Sequence, residues 1–241
     1  MLSVCHLYPD LLNSYGNRGN IVAFTKRCQW RNISVRLLEV NLGLNIDFSE
    51  IDFLFIGSGG EREQELLMEA LLPQRDMLLQ AIEQGLVILA IGSGFQILGH
   101  SYPTSTGETV PGLGLLNFDT KAGDQRLTGD VAIELKLASN SIKITGFENH
   151  VGRTYLGNIE PLGEVLSGHG NNGQDGYEGA RYKNVFCSYL YGPILPKNSM
   201  LTDHLIELAL NKRGLEMELA PLDDTLEEQA NRVLLKRLLN S

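Results

Sequence analysis

Short apolar runs alternate with segments of helical periodicity through the first hundred residues of the chain. The runs predict four strands, at residues 4–7, 33–40, 52–56 and 86–91. Apolar spacing and helix-end signals predict three helices, around residues 21–28, 61–71 and 73–84. This β-α-β-(α)-β order is typical of an α/β protein with a mostly parallel sheet flanked by helices.

The second half is richer in strands, because glycine and proline turns separate several short apolar runs. We expect strands at residues 130–137, 142–147, 163–167 and 185–190, and helices at residues 202–212 and 226–239. Thr225 and Glu228 predict a capping box for the last helix. An apolar stripe is expected to pack that helix against the body, and it consists of Leu226, Ala230, Val233, Leu234 and Leu238. Neither a linker nor a repeat is visible, so we expect one domain over residues 1–241.

Composition narrows the possible functions of the chain. Its 241 residues are 43% apolar and 20% charged, and its net charge is −9. The acidic excess disfavours nucleic acid and anionic lipid as partners. No apolar run approaches the length of a membrane span and no signal peptide is recognisable, so we expect a cytoplasmic protein. The chain has three widely spaced cysteines, Cys5, Cys28 and Cys187, which we interpret as reduced thiols in the core. No two of them have the close spacing that is typical of a zinc site.

Two glycine-rich turns follow the third and fourth predicted strands, where open α/β sheets bind ligands. The amides of the first turn, residues 57–60, suit a phosphate or a developing oxyanion, although a plain strand-to-helix turn remains an alternative. The turn does not match the dinucleotide-binding motif G-x-G-x-x-G, because the third glycine of that motif is replaced by Arg62. The second turn, residues 90–99, has the shape of a nucleophile elbow. An elbow centred on Ser93 would need a small residue at position 91, which is instead the bulky Ile91. Gly92 therefore fits the centre of the elbow better.

Residues 90–99 resemble the nucleophile turn of CobB/CobQ-type class I glutamine amidotransferases, which typically reads A-I-C-G-G-Y-Q-L-L-G. The whole chain is similar to the GatD-type glutaminase subunits of lipid II isoglutaminyl synthase. Eight further stretches carry this similarity in order, and they are residues 6–11, 16–20, 62–64, 126–130, 147–150, 152–155, 170–172 and 192–198. The resemblance implies the flavodoxin-like fold of class I amidotransferase domains.

The resemblance also implies a reaction and a set of site residues. In the family, a cysteine thiolate attacks the side-chain amide of L-glutamine, a histidine transfers the proton, and backbone amides hold the oxyanion. Ammonia then passes to MurT, a Mur-ligase-like partner that uses ATP and amidates the D-glutamate of the peptidoglycan precursor. The oxyanion donors would be the turn at Gly59 and Gly60 and the amide of Ser93. Gln96 and Arg126 would hold the substrate, the arginine through the α-carboxylate, unless Arg126 is a solvated loop charge. No cofactor or metal is implied.

The chain departs from the family at both proton-handling positions. Gly92 stands where the family carries its cysteine, and Tyr191 stands where it carries its histidine. Glycine has no attacking group, and a tyrosine with a pKa near ~10 is a poor base at neutral pH. We therefore predict negligible glutaminase activity by the family mechanism.

Other residues are weak substitutes for the missing pair. Ser93 lies one position beyond the elbow and lacks a histidine. Alternation places Cys187 on one strand face with residues 189 and 191, but a buried structural thiol fits it better. His150 lies in a family-matching stretch and is expected to position loops or substrate. We interpret the other histidines as structural or surface groups, and they are His6, His100, His169 and His204.

Three hypotheses follow from this combination of similarity and loss. In the first, the chain is a GatD-type subunit that still docks a MurT-like ligase. The ligase then uses free ammonia, or the subunit regulates the ligase or holds it in shape. Alternatively, the chain is a non-catalytic sensor that binds glutamine through the retained turn, Gln96 and Arg126. The third hypothesis is an enzyme of changed chemistry built around Ser93 or Tyr191.

Overall fold

A computed structural model describes residues 1–137, 140–215 and 217–240. The described strands, in chain order, are β1 Leu2–Leu7, β2 Val35–Val40, β3 Phe53–Ile56, β4 Val87–Ile91, β5 Ser101–Pro103, β6 Thr109–Pro111, β7 Phe118–Lys121, β8 Leu127–Lys136, β9 Ser141–His150, β10 Arg153–Leu156, β11 Gly163–Ser167, β12 Tyr177–Glu178, β13 Ala180–Tyr182 and β14 Val185–Ser188. The described α-helices are α1 Arg18–Trp30, α2 Glu61–Leu71, α3 Arg75–Glu83, α4 Ser93–Gln96, α5 Ile194–Lys197, α6 Ser199–Lys212 and α7 Thr225–Leu239.

Six strands form the main sheet, in the order β13-β14-β4-β3-β1-β2. Every neighbouring pair is parallel except β13 and β14, so the predicted mostly parallel α/β sheet is confirmed. Strands β3 and β4 are buried along their whole length. Their uninterrupted apolar sequences are what a parallel sheet covered on both faces requires.

Two smaller sheets account for the strand-rich second half. One has the order β10-β7-β5-β6, and the other has the order β12-β11-β8-β9 and is antiparallel throughout. The β8–β9 hairpin pairs Leu127 with His150 at one end and Lys136 with Ser141 at the other. This register brings the segment after Gly123 and the end of β9 to the same side of the molecule, where both reach the cavity described below.

Two hydrophobic clusters sandwich the main sheet, because alternate residues of each strand point to opposite faces. Leu54 and Ile56 pack in the cluster beneath α2 and α3. Phe53 and Phe55 pack in the other cluster, with side chains from α1, α6 and the β8–β9 hairpin. Cys5, Cys28 and Cys187 are buried free thiols within these clusters.

The segment predicted as one helix over residues 73–84 consists of two pieces. A 3-10 turn covers Leu72–Gln74 and α3 follows it, because Pro73 favours a first helical turn but lacks a backbone N–H. Gly85 then ends the helix with φ of +91°. The last predicted strand also ends early, at Ser188 instead of Leu190.

The expected packing of α7 is wrong for three of the five stripe residues, because Leu226, Ala230 and Val233 are exposed. No residue of this helix is buried, and Leu226 and Val233 are 78% and 65% exposed. Polar contacts attach the other side of the helix, since Asn231 Nδ2 donates to the Oδ1 of Asn198 at 3.0 Å. The predicted capping box is also absent: Thr225 is already helical, and its N–H donates to the Asp223 carboxylate.

Candidate active site

The turns after β3 and β4 border a cavity of about 570 Å³ at the carboxyl edge of the main sheet. This is the edge at which open α/β sheets bind their ligands. Six residues that the sequence singled out line the cavity together, and they are Gly59, Gly60, Ser93, Gln96, Arg126 and Tyr191. His150 lines it as well, whereas Cys187 is not among the lining residues.

Gly92 forms the elbow between β4 and α4. Its φ of +59° and ψ of −116° lie in a region that residues with side chains rarely adopt. The Gly92 N–H donates to Ser188 O at 3.0 Å, and its carbonyl accepts from Gln96 N at 3.0 Å. The backbone shape of a nucleophile elbow is therefore retained. Glycine adopts this shape without the strain that another residue would carry, but it offers no attacking atom.

Tyr191 and Ser58 fill the space above the elbow. A β-carbon on Gly92 would overlap the Tyr191 hydroxyl and would lie 2.5 Å from Ser58 Oγ. Tyr191 is 5% exposed, and burial raises the pKa of its phenol further above the usual value of 10. Its hydroxyl remains protonated at neutral pH and is not a general base.

Two of the predicted oxyanion donors, the N–H groups of Gly59 and Ser93, are hydrogen-bonded to serine hydroxyls. The Gly59 N–H donates to Ser93 Oγ at 2.9 Å. The Ser93 N–H donates to Ser58 Oγ at 3.3 Å. The two serines are 5% and 8% exposed, so these bonds lie within the wall of the cavity. Ser58 was missed by the sequence reasoning as a functional residue, although it lies inside the first glycine-rich turn.

Gln96 belongs to a hydrogen-bonded row at the base of the cavity. Its Oε1 accepts from Gln64 Nε2 at 3.2 Å, and its Nε2 donates to the Tyr189 hydroxyl at 3.1 Å. The Tyr189 hydroxyl also bonds with Thr154 Oγ1 at 2.8 Å. These contacts fix the orientation of the amide, which a substrate-holding group requires.

Arg126 lies on the opposite, exposed side of the cavity. Its guanidinium donates to Asn149 Oδ1 at 3.1 Å, and Asn149 Nδ2 donates to the Tyr15 hydroxyl at 3.0 Å. Tyr15 has a φ of +58° and packs on Tyr191 with ring centroids 4.7 Å apart. Asn149 lies in a stretch that carried the family resemblance, whereas no sequence signal pointed to Tyr15.

His150 is fixed in the cavity wall. Its ring stacks on Tyr189 with centroids 3.9 Å apart and planes within 4°, and its Nδ1 bonds with Gly152 O at 2.8 Å. Burial lowers the pKa of His150 to about 4, so the imidazole is neutral at pH 7. A packed, neutral ring that holds the Gly152 turn in place is what the expected positioning role requires.

Alternation predicted that residues 187, 189 and 191 share one face; Cys187 and Tyr189 do pack in one cluster, but Tyr191 does not. Cys187 packs in the cluster beneath α2 and α3, whereas Tyr191 packs in the cluster on the other side of the sheet. The alternation stops because β14 ends at Ser188. Complete burial raises the pKa of the Cys187 thiol well above 9, which makes this group unreactive.

The β5–β6 hairpin covers one side of the cavity with hydroxyl groups from Thr104, Ser105 and Thr106. Glu61 at the start of α2 accepts from the Ser105 N–H at 2.9 Å and thereby connects the hairpin to the first glycine-rich turn. Among the described residues, no group of three or more His, Cys, Asp or Glu side chains is arranged to hold a metal ion.

The family model of the CobB/CobQ-like glutamine amidotransferase domain matches residues 3–199 of the chain. The chain belongs to this family. Within the described residues, no helix is both long enough and apolar enough to cross a membrane.

Two curated proteins are similar to this family member over nearly all of its length. One is the Staphylococcus aureus protein named lipid II isoglutaminyl synthase (glutamine-hydrolyzing) subunit GatD. It is 44% identical over 236 residues, which cover 98% of this chain and 96% of that protein. The Streptococcus pneumoniae protein of the same name is 35% identical over 231 residues, which cover 95% and 88%. The resemblance to GatD-type subunits is therefore confirmed.

A solved structure described as a glutamine amidotransferase shares the fold. It matches with a TM-score of 0.52 and 16% sequence identity, over 86% of this chain and 98% of that chain. This likeness supports the class I amidotransferase architecture that the resemblance implied.

Proposed function

We propose that the chain is a cytoplasmic GatD-type subunit of a lipid II isoglutaminyl synthase that has lost glutamine hydrolysis and acts through a MurT-like ligase. In this role it holds or regulates the ligase, which amidates the D-glutamate of the peptidoglycan precursor with free ammonia. The near full-length similarity to two GatD proteins supports the assignment to this complex.

One observation carries the proposed loss of hydrolysis. The elbow residue is Gly92, and the Tyr191 hydroxyl occupies the space in which a nucleophile's side chain would begin. A thiol cannot be supplied by rotation of a neighbour, because the buried Cys187 packs on the opposite side of the sheet. Loss of a nucleophile costs a hydrolase on the order of a millionfold in rate.

The test measures ammonia release from L-glutamine by the purified chain, alone and with its MurT-like ligase. We expect release at the rate of the uncatalysed reaction in both cases, together with a stable complex by size-exclusion chromatography. The ligase in that complex should amidate its substrate with ammonium chloride and not with glutamine. Rapid ammonia release by the wild-type chain would overturn the proposed loss of hydrolysis. Failure of the chain to form a complex with the ligase would overturn its proposed role as a subunit.

A glutamine sensor is the second candidate, and the intact cavity favours it. Arg126 is exposed at the cavity side and offers a guanidinium to an α-carboxylate, while the Gln96 amide is already oriented at the base. Isothermal titration calorimetry should then detect binding of glutamine without hydrolysis. The absence of binding at millimolar glutamine would end this candidate.

A further inference from the structure

The hydroxyls of Ser58 and Ser93 accept hydrogen bonds from two predicted oxyanion donors, which is a further obstacle to hydrolysis besides the missing cysteine and histidine. An oxyanion hole works when its N–H groups are free to donate to the oxygen of the tetrahedral intermediate. Here the Gly59 N–H already donates to Ser93 Oγ at 2.9 Å, within the ordinary range of a good hydrogen bond. A substrate oxygen would have to displace that hydroxyl before it received this donor.

Ser58 and Ser93 differ in how they depend on the elbow. Ser58 Oγ lies 2.5 Å from the position of a β-carbon on Gly92, next to the Tyr191 hydroxyl. A side chain restored at position 92 would therefore force the Ser58 hydroxyl to rotate, which frees the Ser93 N–H. The Ser93 hydroxyl, in contrast, bonds to the N–H and the carbonyl of Gly59 at 2.9 and 3.3 Å, and it also lies 3.5 Å from Ser58 Oγ.

The sequence agrees with this distinction. The resembling turn A-I-C-G-G-Y-Q-L-L-G has glycine, without any hydroxyl, at the position of Ser93 in this chain. Ser93 is thus a further departure in the same turn as Gly92, and the residue is 8% exposed. A buried hydroxyl keeps its hydrogen bond unless something better replaces it, because an unpaired buried polar group is costly.

We propose that Ser93 is an intramolecular occupant of the oxyanion hole, so that restoring the cysteine and histidine alone does not restore full glutamine hydrolysis. This inference rests on the proposed function, since it concerns the same site and its loss of activity. Ser93 acts on the reaction through the Gly59 N–H and is a positioning residue.

The test starts from the full-length Gly92→Cys/Tyr191→His variant and adds Ser93→Ala. In this background the thiolate bonds to the carboxamide carbon of glutamine, and the C–N bond breaks. Ammonia leaves with the proton that the imidazole carried, and water hydrolyses the thioester to glutamate. Ser199→Ala in the same background is the matched control, because Ser199 is also a buried first residue of a helix and does not line the cavity.

We expect Ser93→Ala to raise kcat by about 10²–10³-fold over the double variant, with little change in KM, since the gained contact forms in the transition state. Ser199→Ala should change kcat by less than about twofold. Equal kcat values with and without Ser93→Ala, including an absence of activity in both, would overturn the inference. That result would mean that another group, such as the Gly60 N–H, is the relevant donor or that the donor is never freed.

A second measurement uses the otherwise wild-type chain and does not need catalysis. Amide hydrogen exchange followed by NMR should show faster exchange of the Gly59 N–H in Ser93→Ala than in wild type, by about tenfold or more. Unchanged exchange would also overturn the inference. Ammonia release by the wild-type chain would instead overturn the proposed loss of hydrolysis, so the two failures are distinguishable.

Discussion

The hydroxyl of Tyr191 lies within clash distance of the position that a β-carbon on Gly92 would take. Two residues that lie 99 positions apart therefore fit each other sterically, and each stands at a position where the family carries a catalytic side chain. A cysteine at the elbow is incompatible with this tyrosine, whereas glycine accommodates it without strain. The two departures are complementary, and together they leave a well-packed wall where a reactive pair would lie.

Stability measurements on this pair should reveal strong coupling. Gly92→Ala alone should lower the free energy of unfolding by about 2–4 kcal/mol, because it adds backbone strain and a clash with the tyrosine. In the Tyr191→His background the same change should cost at least about 1 kcal/mol less, since the clash is relieved. Urea denaturation of the four proteins of this double-mutant cycle gives the coupling energy.

Gly43→Ala is the matched control for the backbone contribution. Gly43 has a φ of +84°, and an added β-carbon there would meet no atom within 4 Å. It should therefore show the cost of a left-handed backbone alone, about 1 kcal/mol. Additive effects of Gly92→Ala and Tyr191→His would contradict the steric coupling.

The sequence predicted the main sheet well for a physical reason. Strands β3 and β4 are apolar runs bounded by turns, and they have one plausible place in a folded chain, which is the covered centre of a parallel sheet. The helix predicted over residues 61–71 has the bounds found for α2, because Gly60 precedes it and acidic residues favour its first turn. The sequence of a segment is enough to predict its structure where its apolar pattern and its end residues leave one arrangement in the fold.

Local signals were insufficient for α7 and for the serine contacts. The stripe of α7 indicated one apolar face, but a sequence does not state how much of that face the body covers, and Leu226 is exposed. The bond between Gly59 and Ser93 joins two turns 34 positions apart, so it depends on how closely β3 and β4 bring those turns together. Gly94 shows how close they are, since a β-carbon on it would lie 2.5 Å from Gly57 O.

Arg126 should control the affinity of the cavity for an amino acid. Arg126→Ala removes a guanidinium that would pair with the α-carboxylate, and hydrogen bonds to charged groups contribute about 1.5–3 kcal/mol. We therefore expect glutamine binding to weaken by about 10–100-fold in calorimetric titrations. Arg36→Ala, an exposed arginine on β2, is the control and should bind as wild type does. Equal affinities of both variants would exclude Arg126 from ligand binding.

Arg27 should be essential for attaching the C-terminal segment. Its guanidinium is almost fully buried and bonds to Asp203 on α6 and to Asp224 immediately before α7, at 2.5–2.7 Å. Arg27→Met would leave the partly buried Asp224 carboxylate without this cation, while Asp203 would keep its ion pair with Arg31 at 2.6 Å. The expected loss is about 3–5 kcal/mol of unfolding free energy in urea titrations.

Lys26→Met tests whether this effect is specific to the buried charge. Lys26 lies next to Arg27 on α1 but is exposed, so its replacement should change stability by less than about 0.5 kcal/mol. If both variants lose the same stability, the ion pairs of Arg27 are not the cause.

Glu178 should make the protein less stable as the pH rises. Burial raises the pKa of this carboxyl from 4.5 to about 8, although its Oε1 accepts from the Tyr189 N–H at 2.6 Å. Between pH 4.5 and 8 the folded chain therefore keeps a proton that the unfolded chain has released. The free energy of unfolding contributed by this group falls across that window and levels off above the folded pKa.

Glu178→Gln keeps the shape and the hydrogen bonds of the protonated carboxyl and removes its titration. We expect the variant to gain stability relative to wild type between pH 5 and 8, by more than about 1.4 kcal/mol, the equivalent of one pKa unit. Urea denaturation across this pH range measures the difference, and Glu69→Gln, an exposed carboxylate on α2, should track wild type at every pH. A constant difference between Glu178→Gln and wild type would show that Glu178 ionises alike in the folded and unfolded chain.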